Sequence, residues 1–285
     1  MKALKAIYII AIFVVTAVII TFFAARRFGF FKGGESMVEE TVSTSPFTAA
    51  DIEADILNLR IEEGEEYAVE YAYPASLVPS IKMDGDTVVI KSHGKNGFHV
   101  SFGNGRDGNN LSGTRLVLIV PKGTDFKELK VEADAGNINI EGYTFDRTEI
   151  ECDAANVNFN EVTSAKTTID SDAGNIQIRD SALGKCKLSA DAGNIEVKDS
   201  TMETLEVETD LGNVDLRSAT FEKGEMSSSM GRIAVDGTFE ELKAESDLGS
   251  ISVDSEDIKD TKLDLSVSLG SITVDGKQKG KSYQQ

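Results

Sequence analysis

Tryptophan is absent from this 285-residue chain, which also holds only two histidines and two cysteines. With His93 and His99 as its whole imidazole supply, the chain shows no Ser/His/Asp order, HExxH helix or phosphate loop. Catalysis therefore has little footing. Basic residues are also scarce: 29 Lys and Arg stand against 48 Asp and Glu, a net charge of −19. That sign excludes nucleic acid, whose phosphates need cations. Such acidity suits a cation-rich cell surface, or simply keeps a β-rich protein soluble.

Long apolar runs are confined to Ala6–Ala25, twenty uncharged residues that can span a hydrocarbon core as a helix. A cleaved signal peptide would have a shorter apolar region and a better cleavage site than one followed directly by Arg26 and Arg27. The expected organisation is thus a flank at 1–5, an uncleaved anchor at 6–25, a polar linker at 26–45 and one folded body at 46–285. Lys2 and Lys5 precede the span and Arg26, Arg27 and Lys32 follow it, so charge alone does not orient it.

What the chain has in abundance is one phrase. DAGNI at Asp134–Ile138 returns as DAANV, DAGNI, DAGNI and DLGNV, then decays to SMGRI, DLGSI and SLGSI, ending at Ile272. Its third positions are Gly136, Ala155, Gly174, Gly193, Gly212, Gly231, Gly249 and Gly270, for the most part 19 residues apart. A period that regular means one unit stacked on itself. Apolar residues recur five before this position (Val131 to Leu265), two after it (Ile138 to Ile272) and four after it (Ile140 to Val274). Small or apolar residues also stand three and one before it. Ten before it come Phe126, Phe145, Leu183, Met202, Phe221 and Phe239, with Ser164 and Asp260 as exceptions.

Alternation of period two on both sides of the Gly-Asn step predicts two strands with one buried face and a corner between them. The fold class is therefore all-β: a parallel β-solenoid (β-helix) of about 19-residue coils, preceded by one N-terminal transmembrane helix. Regular coils are expected over 126–275 and a first coil at about 46–62, with Leu57 in the glycine position. Eight or nine coils make a rod on the order of 40 Å long. Between them lie irregular strands interrupted by a Gly/Asn-rich loop, Lys95–Gly113. Cys152 and Cys186 both point inward but stand two coils apart, roughly 16 Å, too far for a disulfide. They read as buried fillers.

The column two before the glycine is acidic: Asp134, Asp153, Asp172, Asp191, Asp210 and Asp247. Stacked carboxylates repel, so something must relieve them. One answer is an Asx-turn, each Asp accepting N–H bonds from its own turn. The other is a calcium ladder on Asp134, Asp153, Asp172, Asp191 and Asp210, although one Asp per coil falls short of the six to eight oxygens calcium takes. No other cofactor is expected. One after the glycine stand Asn137, Asn156, Asn175, Asn194 and Asn213, whose amides can hydrogen-bond along the rod and tolerate left-handed corners. Polysaccharide-processing β-helices use clustered carboxylates too, but an active site breaks a repeat, and these Asp residues are the repeat.

The D-x-G-N-I-x-I coils, with Leu116–Gly136 before them, the anchor and the closing Val274–Gln285, resemble the bacterial putative-adhesin solenoid domain, a family of unknown function in cell-envelope proteins. Anchor plus one such domain is similar to the LiaG-type membrane proteins. The resemblance covers 46–285 and offers no catalytic residues. It implies a single-pass protein of the cell membrane, its C-terminal domain outside, meeting an envelope component and linked to envelope stress. The reading that follows is a non-enzymatic adhesin-like or scaffolding rod. The alternatives are a carbohydrate-active enzyme and a cytoplasmic-facing polymerising solenoid. Residues 276–285 can cover the last coil's open edge, which favours a monomer.

Overall fold

The computed structural model describes residues 36–94, 113–255 and 258–285. The expected span at 6–25, the flank before it and most of the Lys95–Gly113 loop lie outside the described residues. Among the described residues every regular element is a strand, and no helix is long and apolar enough to cross a membrane.

The repeat becomes a stack of parallel strands. β2 (Ala49–Gly64) carries the first coil, followed by β7 (Asp125–Glu141) and β8 (Thr144–Asn160). Further along, each coil divides into a long strand and a short one: β9 (Thr163–Ala173) with β10 (Ile176–Arg179), then β11 (Ala182–Ala192) with β12 (Ile195–Lys198). β13 (Thr201–Leu211) precedes β14 (Val214–Asp254), which runs unbroken through Gly231 and Gly249, and β15 (Lys262–Val274) ends the rod. Like sits on like: Phe126 pairs with Phe145, Ile150 with Ile169, Leu188 with Val207 and Ile251 with Ile272. The predicted first coil is present, with Leu57 opposite Gly136 and Asn58 opposite Asn137.

Chain order and stacking order part company at the N-terminal end. β5 (Thr87–Ser92) and β6 (Arg115–Pro121) pair in parallel with the two halves of β2, so they form a coil on its far side. β2 is therefore sandwiched between them and β7. β4 (Ser80–Asp84) adds antiparallel to β5. β3 (Ala68–Pro74) adds antiparallel to β6, and β1 (Met37–Ser43) to β3. At the other end the tail folds back as β16 (Lys277–Gln278) and β17 (Ser282–Gln284), both antiparallel to β15. Paired N–H and C=O groups replace an open edge there, and edges are what let sheets join.

The aliphatic columns fill the rod; Ile138, Val157, Ile176, Ile195, Val214, Ile233, Ile251 and Ile272 have no exposed surface. Phe126 and Phe145 stack at 5.2 Å between ring centroids, and Phe221 and Phe239 at 4.9 Å. Ser164 holds its place in that column, buried with its hydroxyl donating to the Lys166 carbonyl. Cys152 and Cys186 are free and buried. Burial pushes the Cys186 thiol up to about 12 and raises Cys152 in the same way, so neither is a reactive thiolate.

Two expectations need correction. The position one before the glycine is inward only at Ile56 and Ala135; Ala173 and Ala192 are exposed, and so are Leu248 and Leu269. The corner starts one residue earlier than the alternation implies, which turns this column outward. The asparagines also do not sit in the left-handed region. Positive φ belongs to a second corner, six past the glycine position, at Gly142, Glu161, Asp180, Asp199 and Ser218.

Candidate functional site

At the first corner, close approach rather than turn conformation selects glycine. A Cβ at Gly193 would lie 1.8 Å from the Gly174 carbonyl oxygen, and one at Gly212 1.7 Å from that of Gly193. Only Gly136 and Gly270 of this column have positive φ. The coil backbones touch here, which brings successive side chains of the neighbouring columns within reach of one another.

The Asn column uses that proximity. Asn137 Nδ2 donates to Asn58 Oδ1 at 2.9 Å, and Asn156 Nδ2 to Asn137 Oδ1 at 3.3 Å. The oxygens of Asn156, Asn175 and Asn194 each accept twice. Asn194 N and Nδ2 both donate to Asn175 Oδ1, at 3.0 and 3.3 Å, and Asn213 repeats this on Asn194 at 3.0 and 3.1 Å. Arg232 N closes the series on Asn213 Oδ1 at 3.1 Å, and at the other end Asn58 Nδ2 donates to the Thr114 carbonyl. This amide ladder is the expected one.

The Asp column behaves otherwise. Among the described residues no backbone N–H of their own turn donates to Asp134, Asp153, Asp172 or Asp191, so the Asx-turn is not what relieves them. Desolvation first, and then the neighbouring carboxylates Asp55 and Asp153, raise the Asp134 carboxyl above its usual range. Asp172 is raised by desolvation, then by Asp153 and Asp170. Asp191 is raised by desolvation, then by Asp172 and Asp210. Relief comes at the ends. Ser229 Oγ donates to Asp210 at 3.0 Å, and Ser268 Oγ to Asp247 at 3.1 Å.

Asp55 begins the column on β2, one coil before Asp134. Gly94 N donates to its Oδ2 at 2.8 Å, and His93 Nδ1 lies 2.9 Å from its Oδ1. His93 Nε2 lies 3.0 Å from Glu53 Oε1, and Lys91 holds the other Glu53 oxygen at 2.6 Å. Two carboxylate acceptors suit an imidazolium donating from both nitrogens. The Asp55 hydrogen bond is the main cause of a His93 pKa raised above its ordinary value. Among the described residues no group of three or more His, Cys, Asp or Glu is arranged to hold a metal ion. Asp134, Asp153, Asp172, Asp191 and Asp210 form a file, one carboxyl per coil.

Past the Asn column the short strands carry two further outward columns. One runs Asn139, Asn158, Gln177, Glu196, Asp215; the next runs Glu141, Asn160, Arg179, Lys198, Arg217. Asn158 Nδ2 donates to Asn139 Oδ1 at 2.9 Å. Arg217 pairs with Asp215 beside it, and Arg179 reaches Glu196 of the next coil at 3.5 Å. A shallow groove of about 480 Å³ follows this face across Asn175, Gln177, Asn194, Glu196, Asn213 and Asp215. No repeat marks this face in the sequence, because its residues vary from coil to coil while the corner beside it repeats.

The Toastrack DUF4097 family matches residues 48–285. Among solved structures, a putative adhesin from Parabacteroides merdae is similar with 17% identity and a TM-score of 0.57, over 86% of this chain and 97% of that one. A putative adhesin from Parabacteroides distasonis has 13% identity and a TM-score of 0.54, over 85% and 97%. A putative lipid binding protein from the same species has 16% identity and a TM-score of 0.51, over 87% and 97%. At such identities the likeness shows the fold alone. No curated protein matches the chain.

Proposed function

We propose, for a chain that belongs to the Toastrack DUF4097 family, a non-enzymatic display role: a rigid β-solenoid held at the cell membrane by Ala6–Ala25 and presented on the outer side. There it acts as an adhesin-like or scaffolding module of the envelope, with a part in envelope stress as the LiaG-type resemblance implies. One observation carries the reading. The chain's regularity is spent on outward columns that repeat in register from coil to coil, a surface suited to an extended partner and not to one small substrate. The two solved structures described as putative adhesins lend support at the level of fold.

The rod works as a monomer in this reading, since the tail on β15 covers the last coil's edge. Orientation is tested by adding protease to intact cells. Cleavage of the domain supports outward display, whereas protection until the cells are lysed would place it inside. The enzymatic alternative is tested by replacing Asp172, Asp191 and Asp210 singly with Asn. Loss of turnover of a cell-wall glycan in a folded variant would overturn the display role.

A further inference from the structure

We propose that the short-strand face of the rod is a binding site for an uncharged, extended polysaccharide lying along the rod axis. This rests on the display reading above and gives it a ligand class.

The face is balanced in charge over the five coils from Asn137 to Arg217. The chain carries −19, yet here three carboxylates (Glu141, Glu196, Asp215) balance three cations (Arg179, Lys198, Arg217). The other outward residues of these three columns, from Asn137 to Arg217, are amides. None is apolar. A charged polymer gains nothing from a face with no net charge, and an apolar one finds no area to bury. Hydroxyl groups, which both donate and accept, match a surface of amides, carboxylates and guanidinium groups.

The ladder also sets the direction of the unused groups. Asn175 and Asn194 each have an oxygen that already accepts two bonds from the next coil, and an Nδ2 that has given one proton to the coil before. Each nitrogen keeps a second proton. One column therefore presents a file of amide donors, one per coil. The neighbouring column, two residues and about 6.7 Å across, presents the acceptors of Gln177, Glu196 and Asp215. Coils recur at roughly 4.8 Å, close to the advance of one β-linked hexose, so successive sugars can meet the same pair of columns. The groove of about 480 Å³ runs along these columns over coils that begin at Asn175, Asn194 and Asn213. Its ladder is fixed before any ligand arrives, which lowers the ordering cost of binding.

The test is fluorescence anisotropy of two labelled probes, the β-1,4-linked hexamers of glucose and of N-acetylglucosamine, titrated with the full chain in detergent. At least one hexamer should saturate, and its disaccharide should bind at least tenfold more weakly because it spans too few coils. Gln177→Ala combined with Glu196→Ala, both outside the Asn ladder, should weaken the hexamer at least tenfold with an unchanged melting temperature. Lys166→Ala with Lys185→Ala, on the long-strand face, should leave binding as it was. Failure of both hexamers to bind, or equal binding by the Gln177/Glu196 variant, overturns the inference. If protease shows outward display while no hexamer binds, the ligand class falls and the display role stands; if the domain is protected yet binds, the reverse holds.

Discussion

Gly193→Ala is the substitution that best tests why glycine recurs at the corner. Its Cβ would stand 1.8 Å from the Gly174 carbonyl oxygen and 2.7 Å from the carbonyl carbon. An ordinary carbon–oxygen contact needs well over 3 Å, so the coils must part by more than about 1 Å. The obstacle is backbone on both sides and cannot rotate away. Parting the coils lengthens Ile176 N to Asn194 O (3.0 Å) and Asn194 N to Asn175 Oδ1 (3.0 Å). Losing these two bonds at about 1 kcal/mol each, with about 1–3 kcal/mol of overpacking, comes to roughly 3–5 kcal/mol.

The control is Gly85→Ala in the turn between β4 and β5, where φ is +62° and a Cβ meets nothing within 4 Å. Only backbone preference is lost there, about 1–2 kcal/mol. Urea unfolding of residues 36–285, followed by circular dichroism and by amide exchange so that partial opening of the rod is seen, measures both. If glycine served the corner by conformational freedom, Gly193→Ala would be mild, since its φ lies outside the left-handed region. A Gly193→Ala cost at or below that of Gly85→Ala refutes the close-approach reasoning.

Asn194→Ala removes a donor to Asn175 and the acceptor of Asn213 N and Nδ2, and should cost about 1–2 kcal/mol in the same urea assay, water replacing part of the loss. Asp191→Asn should stabilise at pH 7 by no more than about 1 kcal/mol, the ceiling for exposed charges. Because the folded carboxyl is raised, mainly by desolvation, that gain should shrink as pH falls through the folded value and vanish below the unfolded one; a gain that persists in acid would contradict the raised carboxyl. His93→Ala should destabilise most below about pH 6.5, where the imidazolium is charged in both states, and progressively less as pH rises through the raised folded value; a pH-independent cost would show that the ring acts by packing alone. Calcium should shift the melting temperature no more than magnesium at equal ionic strength; a calcium-specific rise would put an ion on the Asp134–Asp210 file.

Much of this rod was legible in its sequence because the core and the first corner use the same residues in every coil. Val131 to Leu265 and Ile138 to Ile272 fall in register, and even Leu57 could be indexed to a first coil. The second corner was not legible. Glu161, Asp180, Asp199 and Ser218 share a left-handed backbone but no side-chain type, so the conformation leaves no mark on composition. Nor could residue type separate a glycine needed for φ from one needed for contact. Leu248 and Leu269 misled in a third way, since an apolar residue in phase with the core was turned outward by a corner one residue early. The coil built by β5 and β6 escaped notice because the loop at Lys95–Gly113 separates its halves in sequence.

The polar face was missed for a reason that bears on function. Repetition marks positions where stacking dictates the residue: glycine where backbones touch, asparagine where amides bond coil to coil. The columns beyond are free of that demand, and there the residues change while the charge stays balanced from Asn137 to Arg217. The Asp file beside the same corner shows what balance avoids, since its carboxyls are raised by desolvation first and then by one another along the rod. Stacking alone would tolerate a second acidic column on the short strands, as it tolerates the first. That Glu141, Glu196 and Asp215 are instead matched by Arg179, Lys198 and Arg217 is a property of the surface and not of the fold. A rod needing only solubility would have no use for a neutral stretch beside an acidic file. Recognition of an uncharged partner would.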